Sequence, residues 1–102
     1  MFSPWITAYK HEAFHLQLSV DDGIACIHCK VFKRINKSRL ELLREAFKEV
    51  CFQLEDKGFD RIYAHTPNLK FARLVTGDTF HHICDIMDEP FIVWEFEEFL
   101  YG

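Results

Sequence analysis

The sequence predicts one α/β (α+β) domain: a mixed, mostly antiparallel sheet with two helices, in the order β-β-α-β-α-β-β. Three observations predict it. Phe14, Leu16, Leu18 and Val20 alternate with His15, Gln17 and Ser19, the period of a half-buried strand. Apolar residues from Leu40 to Leu54 recur at helical spacing between a start signal and a stop signal. Thr66-Pro67-Asn68 then closes a short strand and opens a second helix. The 102 residues have room for one core, and 49% hydrophobic and 16% aromatic content supplies it, so residues 1–102 are read as a single domain.

An extended N-terminal segment precedes the first strand of this order. Asp21-Asp22-Gly23 marks a hairpin, because glycine accepts the positive φ that such turns require. The run Ile24 to Phe32 is apolar on both sides, Ala25, Ile27, Cys29 and Val31 against Ile24, Cys26 and Phe32. That pattern predicts a central strand covered on both faces.

Ser38 and Glu41 form the capping box S-x-x-E, in which each side chain satisfies an orphan amide at a helix start. Leu40, Leu43, Phe47, Val50, Cys51 and Leu54 follow on one face, leaving Glu41, Arg44, Glu45 and Lys48 for solvent. Gly58 is placed to end the helix as a C′ glycine, with Phe59 supplying the hydrophobic contact of that cap. Arg61 to His65 is a short strand, and Asn68 caps a second helix that ends near Gly77. Phe80 to Phe99 reads as a final hairpin, turning at Asp88-Glu89-Pro90 and returning from Phe91 to Phe96.

Charge narrows the function classes. A net charge of −4 argues against non-specific nucleic-acid binding, which needs a cationic face, although Lys30, Lys33, Arg34, Lys37 and Arg39 cluster. No apolar run approaches the roughly 20 residues that span a bilayer, so no membrane partner is expected. The N-terminus lacks the basic start and apolar stretch of a signal peptide. A cytoplasmic location is expected, in the encoding cell or in a host. Cys26, Cys29, Cys51 and Cys84 sit inside apolar patterns and read as free thiols serving as small hydrophobes.

The layout and the pattern around Asn68 resemble the core of the GNAT acetyltransferase superfamily. There a hairpin leads into a long helix, a strand, and a helix reading N-x-x-A-x-x-x-Y-x-x-x-G-F. Asn68 matches the asparagine and Phe80 the phenylalanine. Ala72 is displaced by one position, with Phe71 in its place, Val75 stands where the catalytic tyrosine would be, and Thr79 replaces the glycine. The preceding GFDRIYAHTPN is similar to the family's G-F-x-x-(I/V)-x-(A/L)-x-V-x-x-x-N stretch. The small size, with a first strand and two helices missing, resembles abbreviated GNAT-like proteins encoded by bacteriophages. Some of those are virion or host-interaction proteins without demonstrated catalysis.

Two departures bear on activity. The family holds the pyrophosphate of acetyl-CoA on a loop R/Q-x-x-G-x-G/A, whose glycines let backbone amides close on the phosphate. Here the junction is Lys33-Arg34-Ile35-Asn36-Lys37-Ser38-Arg39, without glycine. Val75 removes the hydroxyl that would protonate a leaving thiolate. The expectation is therefore a non-catalytic GNAT-like domain that binds a protein partner, a host factor or a virion component, without a cofactor. The alternative is a minimal acetyl-CoA-dependent N-acetyltransferase. The resemblance then implies Lys37, Ser38 and Arg39 at the pyrophosphate and Asn68 near the acyl arm, with His28 or His65 as base.

Other candidates are weaker. Cys26-x-x-Cys29 and His81-x-x-Cys84 offer zinc-ligand types. Residues three apart in a strand face opposite sides of a sheet, however, so no metal is expected. The C-terminal stretch, with Phe91, Trp94, Phe96 and Phe99 among Glu95, Glu97 and Glu98, reads as an amphipathic edge strand. An aromatic edge invites pairing unless something covers it. Those four residues, with Trp5 and Phe2 near the N-terminus, form the expected surface for a protein partner or a second copy.

Overall fold

The computed structural model describes residues 4–102. The chain runs β1 (Ile6–Lys10), β2 (Phe14–Asp21), β3 (Ile24–Val31), α1 (Lys37–Asp56), β4 (Arg61–His65), α2 (Leu69–Thr76), β5 (His81–Ile86), β6 (Glu89–Glu95) and α3 (Phe96–Tyr101). The six strands form one sheet in the order β1-β2-β3-β4-β6-β5. Every neighbouring pair is antiparallel except β3 and β4, which the α1 crossover makes parallel. The expected mixed, mostly antiparallel sheet is present, and the order β-β-α-β-α-β-β runs from β2 to β6. The extended N-terminal segment that precedes this order is a paired strand, β1, antiparallel to β2. Phe2 lies outside the described residues.

The β2–β3 and β5–β6 turns are two residues long and left-handed. Asp21 opposes Ile24 around Asp22 (φ 50°) and Gly23 (φ 78°), the residue types this turn favours. Ile86 opposes Glu89 around Met87 (φ 54°) and Asp88 (φ 66°), so the second turn lies ahead of the expected Asp88-Glu89-Pro90. Sequence preference missed it because methionine is a poor residue for positive φ.

The long helix starts one cap earlier than the capping box implies. Asn36, not Ser38, is the N-cap, and its Oδ1 accepts the Arg39 backbone N–H at 2.9 Å. Ser38 lies inside the first turn as a result. The C-terminus is as expected: Gly58 (φ 95°) donates to Glu55 O at 2.9 Å and Phe59 to Leu54 O at 3.0 Å. Asn68 caps α2 by accepting from the Phe71 N–H at 3.0 Å, and Gly77 ends it. Arg44 of α1 clamps the far end of α2, donating through Nε and Nη2 to Leu74 O at 3.0 and 2.7 Å.

The three helices pack on one face of the sheet. Phe14, Leu16 and Leu18 of β2, Ala25 and Ile27 of β3, Ile62 and Ala64 of β4, and Ile92 and Trp94 of β6 meet Leu43, Phe47, Val50, Cys51 and Leu54 of α1. Ala72 and Val75 of α2 join this core, as does Phe96 of α3. Strand register fixes this division, since opposed residues share a face and successive ones alternate. The expectation that β3 is covered on both faces is corrected: Ile24, His28 and Lys30 on its second side are exposed.

Residues 96–101 also depart from expectation, forming a helix rather than the end of a strand. The ladder stops at Glu95, and the Phe96 N–H turns to Asp60 O at 2.9 Å. Helical spacing then lets Phe96 enter the core and sets Phe99 edge-on to Phe47, with ring centroids 5.4 Å apart. The C-terminal edge strand does not exist. β6 is an interior strand, and the sheet edge passes to β5.

Candidate functional site

The face of the sheet opposite the helices carries the residues of interest. Its arrangement follows from three register statements. Ser19 opposes Cys26, Cys26 opposes Tyr63, and Tyr63 opposes Val93, so these four make one row across β2, β3, β4 and β6. Two residues further toward the carboxyl ends of β3 and β4, Gln17 opposes His28 and His65 opposes Phe91. Among the described residues Cys26–Tyr63 is the one register pair between the parallel strands, whereas β2 and β3 are in register from Phe14–Val31 to Asp21–Ile24. His28 and His65 therefore flank a junction where the ladder is not continued. Carboxyl ends of parallel strands are where open α/β sheets place ligands.

The two histidines have different surroundings. His28 is exposed, and Trp5 lies against it with ring centroids 6.0 Å apart. The His65 Nε2 lies 2.8 Å from Ile86 O. Because a carbonyl only accepts, Nε2 carries the hydrogen. Glu89 Oε2 lies 3.6 Å from the same nitrogen. His65 thus fastens the β5–β6 turn to the end of β4.

Phe91 stacks on Tyr63 at 5.4 Å with planes 4° apart. Phe32, just past β3, meets His15 edge-on at 4.6 Å and lies under Lys30 Nζ at 5.6 Å. Aromatic side chains therefore stand on this face at Trp5, Phe32, Tyr63 and Phe91, separated by Gln17, His15, His28 and His65. Burial pushes the Cys26 thiol above its ordinary range, the direction that disfavours a thiolate nucleophile. The same cause pushes Cys29 up to about 11, and Cys51 is pushed up to about 12 by burial and then by Glu55.

The residues assigned to an acetyl-CoA site do not gather around these histidines as a phosphate cradle. Lys37 and Ser38 are exposed in the first turn of α1. Arg39 is half-buried, and its Nη1 donates to Arg34 O at 2.7 Å, within the same loop. Asn68 is engaged as a helix cap, and its own N–H donates to Thr66 Oγ1 at 3.1 Å. Val75, which the resemblance sets against the GNAT tyrosine, is 8% exposed and faces the core.

The partner-binding residues divide between the two faces. Trp5, 49% exposed, and the half-buried Phe91 lie on the open face. Trp94 is 3% exposed and Phe96 1%, so neither can touch a partner, and that part of the expected surface is corrected. Trp94 Nε1 donates to Thr76 Oγ1 at 2.9 Å, and Thr76 Oγ1 donates to Ala72 O at 2.8 Å, tying β6 to α2. Phe99 is half-buried against α1.

Register puts Cys26 on the open face and Cys29 on the helix face, as their spacing implies. Among the described residues no group of three or more His, Cys, Asp or Glu side chains converges as a metal site. All four cysteines are free, and Cys84 is exposed rather than apolar filling. No described helix is long and apolar enough to cross a membrane.

A separate open hollow of about 500 Å³ lies at the other end of β4, lined by Glu55, Phe59, Asp60, Arg61, Glu95 and Tyr101. Arg61 Nε donates to Asp60 Oδ1 at 3.0 Å, and that bond holds the carboxyl below its usual range. Of the candidates from sequence, Phe96 alone lines this hollow. Tyr63 escaped the sequence reading although the alternation Arg61-Tyr63-His65 puts it on the face of His65. Compared with protein families, with curated proteins and with solved structures, the chain matches none of them.

Proposed function

We propose that this is a non-catalytic, GNAT-like protein-binding domain whose contact surface is the helix-free face of its sheet. The observation that carries the reading is the one-sided cover. All three helices lie on one face, and the other keeps Trp5, Phe32, Tyr63 and Phe91 within reach of solvent. Aromatic rings among polar neighbours are the composition of contact surfaces, since each offers a large apolar area at low conformational cost. In keeping with the resemblance to short phage-encoded members, the partner is a host or virion protein met in the cytoplasm, and no cofactor is needed.

The test is co-purification with Trp5→Asp and with Glu45→Arg, the latter on the exposed side of α1. A specific companion lost with the first and kept with the second supports the reading. A companion lost only with Glu45→Arg, or with neither variant, overturns it.

One observation favours a second reading, an acetyl-CoA-dependent N-acetyltransferase. His28 and His65 flank the parallel-strand junction, and the helices after β3 and β4 both begin at that end. Calorimetric titration with acetyl-CoA separates the two. Sub-millimolar binding lost on Lys37→Glu favours the enzyme, and absence of heat favours the binding domain.

A further inference from the structure

We infer that β5 is a self-pairing edge: two copies of the chain join antiparallel, β5 against β5, about a two-fold axis between Ile83 and Cys84. This contact is separate from the open face and does not rest on the reading above. All six residues of β5 are exposed, and among the described residues the strand pairs only with β6. Its outer backbone groups are a template for another strand. Ile83 and Ile86 stand on it 50% and 42% exposed.

The bulge in β5 makes a symmetric register available. His82 opposes Ile92, Cys84 opposes Phe91, and Ile83 is the extra residue between them. In a regular strand His82 and Asp85, three apart, would face opposite sides and could not stand opposite each other in an antiparallel pair. The extra residue reverses the phase of Cys84, Asp85 and Ile86. His82 and Asp85 now share the helix face, while His81, Cys84 and Ile86 share the other. The bond from His82 Nε2 to Asp85 Oδ1, 2.7 Å long, reflects that shared side.

A two-fold axis between Ile83 and Cys84 then sets His82 of each copy against Asp85 of the other, and His81 against Ile86. Because both copies carry the same extra residue, the two bulges stay in step. Each copy exchanges its own His82–Asp85 bond for one to the other copy, so two imidazole–carboxylate pairs cross the seam, with Ile83 beside Cys84 at its centre. This donor–acceptor and charge complementarity is what selects a second copy as the occupant. A closed two-fold contact also uses each edge once, which prevents open-ended pairing.

The experiment is sedimentation equilibrium over a concentration series in reducing buffer, with circular dichroism to verify folding. The wild-type protein is expected to move from monomer toward twice its mass. His82→Asp and Asp85→His, each setting like groups across the seam, should weaken association about tenfold or more. The double variant H82D/D85H restores the pairing and should recover most of the loss. A monomer at every concentration overturns the proposal, as does a dimer that neither single variant weakens. So does a double variant no better than the singles.

Discussion

The two faces of the sheet are made by the same strands yet obey different demands. Toward the helices, β2, β3, β4 and β6 present Phe14, Leu16, Ile27, Ile62, Ile92 and Trp94, each buried. Toward the other side the same strands present Gln17, His28, Tyr63, His65 and Phe91, a mixture of polar and aromatic groups in partial contact with water. Alternation supplies both sets at no extra length of chain. The helix side is filled for stability, where each lost contact leaves a cavity. The open side holds rings that stabilise little by themselves, so changes there should alter binding and leave folding nearly intact.

The sharpest way to break this contrast is on the filled side. Phe14 is fully buried and stacks with His11 and Tyr9 at 5.0 and 5.8 Å. Phe14→Ala should cost about 3–5 kcal/mol in urea unfolding. At the left-handed turn, Met87-Asp88→Asn-Gly should stabilise by about 1 kcal/mol, because Met87 holds a positive φ that those residues accept readily. On the open side Trp5→Ala should move stability by no more than about 0.5 kcal/mol while removing partner contact. A loss comparable to Phe14→Ala would show that the open face is structural after all.

The smallest effect is electrostatic and lies at α3. The hydrogen bond from His81 Nε2 to Glu98 Oε2, 2.6 Å long, raises the His81 pKa, with the Glu98 charge adding to it. A raised folded-state pKa contributes stability that is fully present below the unfolded value and is lost as pH rises through the folded value. Glu98→Gln should lower the His81 midpoint in an NMR titration and flatten that part of the stability profile. An unchanged midpoint would mean that the pair does not form in solution.

Much of the fold was legible because local rules and tertiary structure agree. The capped α1, the Gly58 stop, the Asp22-Gly23 turn and the Asn68 cap each rest on backbone chemistry that a few neighbouring residues decide. The errors arise where distant parts decide. Ser38 has the capping box, aimed at the Glu41 amide, but Asn36 starts the helix two residues earlier by capping the Arg39 amide. Phe96 and Phe99 suit a strand equally well until Phe47 of α1 offers a surface at helical spacing. Two of the expected contact residues, Trp94 and Phe96, are in the core, Phe96 for that reason. Trp94, with a polar edge, gave no sign that Thr76 would satisfy its N–H inside the protein. That His28 and His65 lie at the same end of β3 and β4 was beyond reach, since it follows from the Cys26–Tyr63 pairing between residues far apart in the chain.

The most direct test of the central claim compares the two sides of the molecule by photo-crosslinking. A benzophenone side chain would be placed at Gln17 or Tyr63 on the open face and at Glu45 or Lys48 on the exposed side of α1. The binding-domain account predicts one discrete adduct shared by the two open-face positions and absent from the two helix positions. An adduct formed from α1, with the open-face positions silent, would contradict it.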